Sequence, residues 1–332
     1  MTSGLAMSEF ELIGRLQGIV NARIAGLQKP GSVGIGDDAA VLSVEPGRQL
    51  LVTTDTLVDG VHFPHQSAPF DIGYKALAVN LSDIAAMGGQ PVCFFLAMTI
   101  PDPGREWLDR FAQGLEHLAT PSAVYLAGGD TTSGPLSITI TALGVVDHGR
   151  ALLRSGARPG DLILLSGTTG LAGLGLIQLQ RKAVVDPSAW QALTRPQPRL
   201  ALGQALLGKA TACIDISDGL AADLGHILSA SHVGAELSLD CLPCPEALSK
   251  LDLQQRWNLQ LGAGDDYELC FTLPVAFEAQ LPALAEAGGV DLTIIGRITD
   301  GDRLRLRRAD GTEFAPTRLG YDHFTSVPSR IL

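Results

Sequence analysis

The stretch Ile72-Gly-Tyr-Lys-Ala-Leu-Ala-Val-Asn-Leu-Ser-Asp-Ile-Ala-Ala-Met87 predicts a helix that is buried on all its sides. It is rich in alanine and mostly apolar around its whole circumference, and Gly88-Gly89, followed by Pro91, marks its end. Asp83 lies inside this apolar run. Because a buried carboxylate is costly unless it is paired or binds a metal, Asp83 is a candidate metal ligand.

Short apolar segments on both sides of this helix predict strands at 50–54, 92–100, 124–127 and 136–146. A helix is predicted between two of them, and the same mixture of strands and helices continues beyond the turn-rich joint at 154–161. At 332 residues the chain is long enough for two domains. We therefore expect a mixed fold, α/β or α+β, divided into domains 1–150 and 151–332.

Composition narrows the classes of partner. The net charge of −11, from 35 acidic and 24 basic residues, argues against a large basic face for nucleic acid. Apolar runs such as 92–100 are too short to span a membrane, and no signal peptide is visible, so we expect a cytoplasmic protein. Five cysteines do not suggest a disulfide framework, and the isolated pair Cys241 and Cys244 is typical of a surface loop.

Aspartates recur where apolar strands are predicted to end and in glycine-rich loops. The first group is Asp55, Asp130 and the pair Asp215 and Asp218; the second lies in the loops Gly36-Asp37-Asp38 and Gly264-Asp265-Asp266. A single loop of this kind is usually only a turn, but ligands bind at the carboxyl ends of strands in α/β folds, so we expect several of these side chains to converge.

Such a convergence needs cations. Two carboxylates about 4 Å apart repel by roughly 4 kcal/mol at an effective dielectric constant of about 20. Oxygen ligands without paired histidine or cysteine favour Mg²⁺ over zinc or iron, and Mg²⁺ commonly bridges protein carboxylates and substrate phosphates. The residues alone therefore predict a magnesium-dependent enzyme that acts on a nucleotide phosphate.

An ordered set of motifs resembles the thiamine-monophosphate kinase family. It comprises Gly36-Asp-Asp38, Thr53-Thr-Asp-Thr56, Gly60-Val-His-Phe63, Lys75 to Gly88, Gly128-Gly-Asp-Thr-Thr132, Ile214-Asp-Ile-Ser-Asp-Gly-Leu220, Gly264-Asp-Asp-Tyr-Glu-Leu269 and Gly320-Tyr-Asp-His-Phe324. The resemblance implies a two-domain fold like that of aminoimidazole ribonucleotide synthetase. The N-terminal domain, 1–150, would bind ATP and Mg²⁺ and form a β-barrel with its copy in a homodimer. The C-terminal α/β domain, 151–332, would complete the site.

The same resemblance implies the reaction and its residues. ATP would phosphorylate thiamine monophosphate to thiamine diphosphate, the last step of thiamine diphosphate biosynthesis. Several Mg²⁺ ions would be bound by Asp37, Thr53, Thr54, Asp55, Asp83, Asp130, Asp215 and Asp218. ATP would contact Gly129, Asp130, Arg154 and Ser217. Thiamine monophosphate would contact His62, Asp265 and Tyr321.

The chemistry of the acceptor requires no catalytic base. A phosphate monoester has its second pKa near 6 and is mostly dianionic at neutral pH. Catalysis would then consist of alignment and charge neutralisation by Mg²⁺ and Arg154, with direct in-line transfer and no phosphoenzyme.

Two other classes of function stay open at this point. One is a different enzyme on the same scaffold, such as a purine-synthesis ligase or a selenide dikinase; the latter needs a reactive residue in an N-terminal loop, and no cysteine precedes Cys93. The other is a non-catalytic nucleotide or thiamine-phosphate sensor, which the complete set of expected ligands disfavours. His62, beside apolar Val61 and Phe63, could also be a packing residue.

Overall fold

The structure is a computed structural model, and it describes residues 9–27, 32–101 and 104–321. The helices are α1 Glu9–Val20, α2 Pro69–Ala86, α3 Arg105–Ala119, α4 Leu171–Gln180, α5 Pro187–Thr194, α6 Leu200–Leu206, α7 Leu220–Ser231, α8 Glu246–Ser249, α9 Leu253–Gly262 and α10 Leu281–Gly288. The strands are β1 Arg48–Val58, β2 Gln90–Ile100, β3 Tyr125–Ser133, β4 Ser137–Asp147, β5 Leu162–Ser166, β6 Ala212–Asp215, β7 Gly234–Ser238, β8 Leu269–Leu273, β9 Leu292–Thr299 and β10 Leu304–Arg307.

The chain divides into two compact units between His148 and Gly149, and the short segment Ala85–Gly89 groups with the second unit. Each unit contains one sheet with helices packed on it, so the predicted mixture of helices and strands is confirmed. Along the described part of the chain, every helix is too short or too polar to cross a lipid bilayer.

The first unit has a four-stranded sheet in the order β1-β4-β2-β3. Only β2 and β3 run parallel; the other neighbours are antiparallel. Helix α2 is buried over most of its length, as its apolar circumference predicts. It crosses α3 at two glycines, because a Cβ on Gly73 would lie 2.2 Å from the Phe111 carbonyl oxygen and one on Gly114 would lie 2.0 Å from that of Phe70.

Strands β1 and β3 are longer than the apolar runs that predicted them, which corrects the expected position of two aspartates. Asp55 lies within β1 and Asp130 within β3, so neither marks a strand end. Threonine is a good strand residue, and the hydroxyls of Thr54 and Thr141 pair across β1 and β4 at 2.9 Å, so β1 continues through its polar residues. Strands β1 and β3 run in the same direction, so it is the extra length of these strands, and not their direction, that places both aspartates away from a carboxyl end.

The second unit has a six-stranded sheet in the order β10-β7-β9-β5-β8-β6, with only β10 and β7 parallel. Strands β5 and β8 are buried along their whole length. Apolar side chains of α7 and α9 belong to one core cluster with the sheet, and those of α6 and α10 belong to another. The sheet is therefore covered on both faces.

Candidate functional site

The first group of predicted site residues in the first unit lies on β1 and α2. Thr53 and Asp55 are two residues apart on β1 and so point to the same face, and the Thr53 hydroxyl donates to Asp83 Oδ2 at 2.5 Å. Burial, together with the charge and hydrogen bond of neighbouring Asp83, raises the pKa of Asp55 to about 7. Asp83 is half-buried, whereas its apolar helix predicted a fully buried carboxylate.

Thr54 does not join this group through its side chain. It alternates to the opposite face of β1, where its hydroxyl pairs with Thr141 and is exposed. The described residues contain no group of three or more histidine, cysteine or acidic side chains placed to hold a metal ion by themselves. Two carboxylates and a hydroxyl nevertheless fit Mg²⁺, which is commonly bound by one or two carboxylates and completed by phosphate and water.

The second group of predicted site residues in the first unit lines a cavity of about 780 Å³. Its apolar lining includes Ile13, Leu16 and Phe95, from α1 and β2, and its polar lining includes Asp37 and Asp130. The structure thus brings together three residues of the predicted set, Asp37, Gly129 and Asp130.

Gly129 is required where it stands. Its φ is +154°, and a Cβ there would lie 1.9 Å from the Leu96 carbonyl oxygen on β2. On the other wall, the loop carrying Asp37 is closed by the pairing of Val33 with Val41, whose N–H groups and carbonyls exchange hydrogen bonds of 3.0 and 2.9 Å.

The two groups of the first unit include residues of different edge strands of the sheet, Asp55 on β1 and Gly129 on β3. The registers place Asp55 opposite Ile140, Ile140 opposite Leu96, and Leu96 opposite Gly129. Three strand spacings amount to about 14 Å along the sheet. Asp55 and Gly129 therefore lie three strands apart, and the convergence of all the aspartates of this unit stays a prediction.

His62 occupies a tight turn directly after β1. Its Nδ1 accepts the backbone N–H of Val58 at 3.0 Å, and its carbonyl oxygen accepts a hydrogen bond of 3.1 Å from Lys75 Nζ. His62 is half-buried, and Lys75 is 3% exposed. Sequence reasoning missed Lys75, although a lysine inside an apolar helix was a signal of the same kind as Asp83.

Three loops of the second unit converge through main-chain hydrogen bonds. The Asp265 N–H donates to the Ser217 carbonyl at 2.7 Å, and the Tyr321 N–H donates to the Asp218 carbonyl at 2.9 Å. Asp215 ends β6 directly before this junction and is buried. The structure therefore brings together five residues of the predicted set: Asp215, Ser217, Asp218, Asp265 and Tyr321.

The junction depends on backbone conformations that few residues adopt. Asp265 and Tyr267 have positive φ angles of 64° and 52°. Gly264, also at positive φ, packs so closely that a Cβ would lie 2.5 Å from the Ser217 carbonyl oxygen.

Asp223 supports this junction and was missed by sequence reasoning. It is 2% exposed, and its Oδ2 accepts the N–H groups of Asp218 and Gly219 at 3.1 and 3.0 Å. Burial raises the pKa of Asp223 to about 7. Its position in the first turn of α7 was the available signal, because an acidic side chain there can bond the free N–H groups of the helix start.

A buried ion pair holds the other end of the 264–268 loop. The guanidinium of Arg199 donates to both carboxylate oxygens of Glu268, at 2.7 and 2.5 Å, and the Ser166 hydroxyl donates to the same carboxylate at 2.5 Å. Nearby, Asp266 Oδ1 accepts the Gly170 N–H at 2.8 Å, and burial raises the pKa of Asp266 well above its usual range. Sequence reasoning gave Arg199, Glu268 and Ser166 no role, and it named Asp266 only as part of a glycine-rich loop.

Arg154 lies apart from the other predicted ATP contact of the second unit. Its carbonyl accepts the Ser231 hydroxyl at 3.3 Å, at the end of α7, whereas Ser217 precedes the start of that helix. The 12 residues of α7 span about 18 Å. The exposed side chain of Arg154 therefore starts far from the junction.

Comparisons with known proteins agree with this architecture. Residues 36–146 match the family described as AIR synthase related protein, N-terminal domain, and residues 158–308 match its C-terminal domain. The thiamine-monophosphate kinase of Escherichia coli (strain K12) is 44% identical over 97% of this chain and 100% of its own length.

Solved structures give the same result. The crystal structure of thiamine-monophosphate kinase from Stenotrophomonas maltophilia K279a has a TM-score of 0.83 and 43% identity, covering 93% of this chain and 98% of that one. The structure described as AaThiL complexed with AMPPCP and TMP has a TM-score of 0.74 and 29% identity, covering 97% and 100%. The resemblance of the motifs is thereby confirmed: the chain belongs to the thiamine-monophosphate kinase family of the AIR synthase-related proteins, and it is a kinase.

Proposed function

We propose that this kinase transfers the γ-phosphoryl group of ATP to the phosphate of thiamine monophosphate and forms thiamine diphosphate. The observation that carries the proposal is the proximity of Asp55 and Asp83, because adjacent half-buried carboxylates in a kinase call for a divalent cation and its phosphate ligands. A relative with bound AMPPCP and TMP supports the two substrates.

Mg²⁺ is the metal that suits these residues. Asp55, Asp83 and Thr53 would hold it in the first unit, and Asp37 and Asp130 offer further carboxylates at the cavity. The roles implied for Thr54, Asp215 and Asp218 remain predictions. When bound, Mg²⁺ neutralises charge on the phosphate oxygens.

The cavity between α1, β2 and β3 suits a nucleotide. Its apolar side chains can cover a base, while Gly129 and Asp130 present backbone and carboxylate to the phosphate end. Because Gly129 carries no side chain, phosphate oxygens can approach the main chain closely. Arg154 and Ser217 remain predicted ATP contacts, and Arg154 would act only through its long side chain.

We also propose that the transfer is direct and in line. The dianionic phosphate of the acceptor needs no proton removed, so the residues need only align and neutralise two anions. Incubation with γ-labelled ATP alone tests this step: stable label on an aspartate or histidine would contradict direct transfer.

We further propose a homodimer formed by the first unit. β1 is an edge strand of its sheet, and it exposes Leu50 and Val52 at 45% and 58%. A long exposed edge with apolar side chains favours pairing with another chain. Sedimentation of Val52→Asp tests the arrangement: loss of the dimer supports it, and a wild-type monomer would refute it.

The central experiment measures thiamine diphosphate made from thiamine monophosphate, ATP and Mg²⁺. We expect product with the wild type, a loss of about 100-fold or more with Asp83→Asn, and no change with Asp147→Asn, an exposed carboxylate of the same unit. If the wild type makes no product, the kinase assignment to this substrate fails. If Asp83→Asn keeps full activity, the metal role of Asp83 fails.

A further inference from the structure

The hydroxyl group of Ser231, the last residue of α7, is bonded by a single loop of the second unit. Its Oγ accepts the N–H groups of Gly156 and Ala157, each at 3.1 Å. The same hydroxyl donates to the Arg154 carbonyl at 3.3 Å. A serine hydroxyl has one proton to donate and two lone pairs that accept, so these three bonds use its whole capacity. Ser231 therefore holds the segment 154–157 at three main-chain groups.

The main chain of this segment is also anchored at both of its ends. Directly before Arg154, the Leu153 carbonyl accepts the N–H of Cys213 on β6 at 2.9 Å. At the other end, Ala157 is 5% exposed and belongs to a core cluster of the second unit. The backbone on both sides of Arg154 is therefore fixed by contacts with β6, α7 and the core.

The side chain of Arg154 differs from its fixed backbone. Arg154 is exposed, and among the residues that the structure describes no acidic side chain pairs with its guanidinium. A guanidinium presents several N–H donors in a planar fork, which suits the oxygens of a phosphate group. Because the main chain is already ordered, only the side chain loses freedom when such a group binds. A fixed backbone that displays an unpaired cation is suited to bind an anion.

We propose that Ser231 is the positioning residue for Arg154, because it fixes the main chain from which the Arg154 guanidinium reaches a phosphate group of ATP. This inference rests on the part of the proposed function in which Arg154 contacts ATP. Ser231 itself contacts neither substrate and transfers no proton. The two residues are 77 positions apart in the sequence, so no local motif connects them.

Amide hydrogen exchange tests the positioning without any substrate. In the full, ligand-free protein, Ser231→Ala leaves the N–H groups of Gly156 and Ala157 without their acceptor, so we expect both to exchange at least about 10-fold faster. Ser231→Thr keeps the hydroxyl and should keep both rates within about threefold of the wild type. Ser229→Ala removes an exposed hydroxyl from the same helix and should change neither rate. Unchanged exchange in Ser231→Ala would overturn the inference.

Nucleotide binding tests what the positioning serves. We expect Ser231→Ala to raise the Kd for AMPPCP and the KM for ATP by about 5- to 20-fold, with the KM for thiamine monophosphate within about twofold. Ser231→Thr should restore most of the lost affinity, and Ser229→Ala should leave all three constants unchanged. Arg154→Met should have a larger effect than Ser231→Ala, because it removes the guanidinium itself. Equal losses for both substrates in Ser231→Ala would indicate a general structural defect and would overturn the inference.

A double-mutant cycle separates positioning from general stabilisation. In the Arg154→Met background, Ser231→Ala should raise the Kd for AMPPCP by less than about twofold further, because no guanidinium is left to position. A further rise as large as that in the wild-type background would overturn the inference, and so would an Arg154→Met variant that binds AMPPCP as the wild type does. If the wild type phosphorylates no thiamine monophosphate while the AMPPCP results are as expected, the proposed function is refuted and the inference is supported.

Discussion

Replacement of Arg199 by methionine should destabilise the second unit strongly, because it leaves the carboxylate of Glu268 buried without its cation. The side chains of Arg199 and Glu268 are 18% and 8% exposed, and two hydrogen bonds join them. Breaking a buried pair by removal of one partner costs about 3–5 kcal/mol. Since Arg199 keeps some contact with solvent, we expect the lower end, about 3 kcal/mol.

A double substitution isolates the pair. In Arg199→Met/Glu268→Gln the buried group is a neutral amide that can still accept the Ser166 hydroxyl, so we expect a total loss of only about 1 kcal/mol. The double variant should therefore be more stable than Arg199→Met alone. Arg305→Met, at an exposed position of β10, serves as the control and should stay within about 0.5 kcal/mol of the wild type.

Urea denaturation followed by tryptophan fluorescence measures these differences. In a Trp107→Phe background the remaining tryptophans, Trp190 and Trp257, both lie in the second unit. A loss of 3 kcal/mol corresponds to a decrease in Tm of about 6–12 °C for a unit of this size. The reasoning is refuted if Arg199→Met costs less than about 1 kcal/mol, or if the double variant loses the sum of the single losses.

Three further predictions follow from other contacts. Gly264→Ala should abolish thiamine monophosphate binding measured by calorimetry, because Gly264 has a φ of +74° and an added Cβ would lie 2.5 Å from the Ser217 carbonyl oxygen. The control is Gly225→Ala in α7, where an added Cβ has open space; this change should be neutral or stabilise the fold by up to about 1 kcal/mol. Burial raises the pKa of Asp266, so this carboxyl favours folding at low pH and opposes folding as the pH rises above about 4, its pKa in the unfolded chain. The gain in Tm of Asp266→Asn over the wild type should therefore increase from pH 5 to pH 8. A difference in Tm that stays constant with pH would contradict this prediction. With a thiol reagent at pH 8, only the exposed thiols of Cys241 and Cys244 should react rapidly. The other three thiols are buried, which raises the pKa of Cys93 to about 11, that of Cys270 to about 12, and also that of Cys213. A third thiol that reacts rapidly would contradict this prediction.

The local sequence was sufficient where a residue's environment follows from its neighbours along the chain. The apolar circumference of 72–87 predicted the buried helix α2, since a helix without a polar face must be covered on all sides. The position of Asp83 within this helix predicted that its carboxylate has a polar partner, and the side chains of Thr53 and Asp55 are its neighbours in the structure.

The strand boundaries were not accessible in the same way. The polar residues Asp55 and Thr56 ended the predicted strand at Thr54, whereas β1 continues to Val58. Pairing with β4 decided this, because cross-strand hydrogen bonds stabilise residues whose local pattern is not that of a strand. The expected position of Asp55 and Asp130 at strand ends was wrong because their strands are longer than predicted, whereas Asp215 does end β6.

The sequence alone identified the family and the mixed α/β class, and it predicted oxygen ligands for a hard cation. The three-dimensional contacts showed which of the predicted residues lie together and which other residues support them. Two of the supporting residues, Lys75 and Asp223, bond to backbone carbonyl or N–H groups. A third, Arg199, pairs with Glu268, which is distant in the sequence. Because main-chain groups are the same at every residue, no pattern of side chains reveals which of them a buried charge will meet.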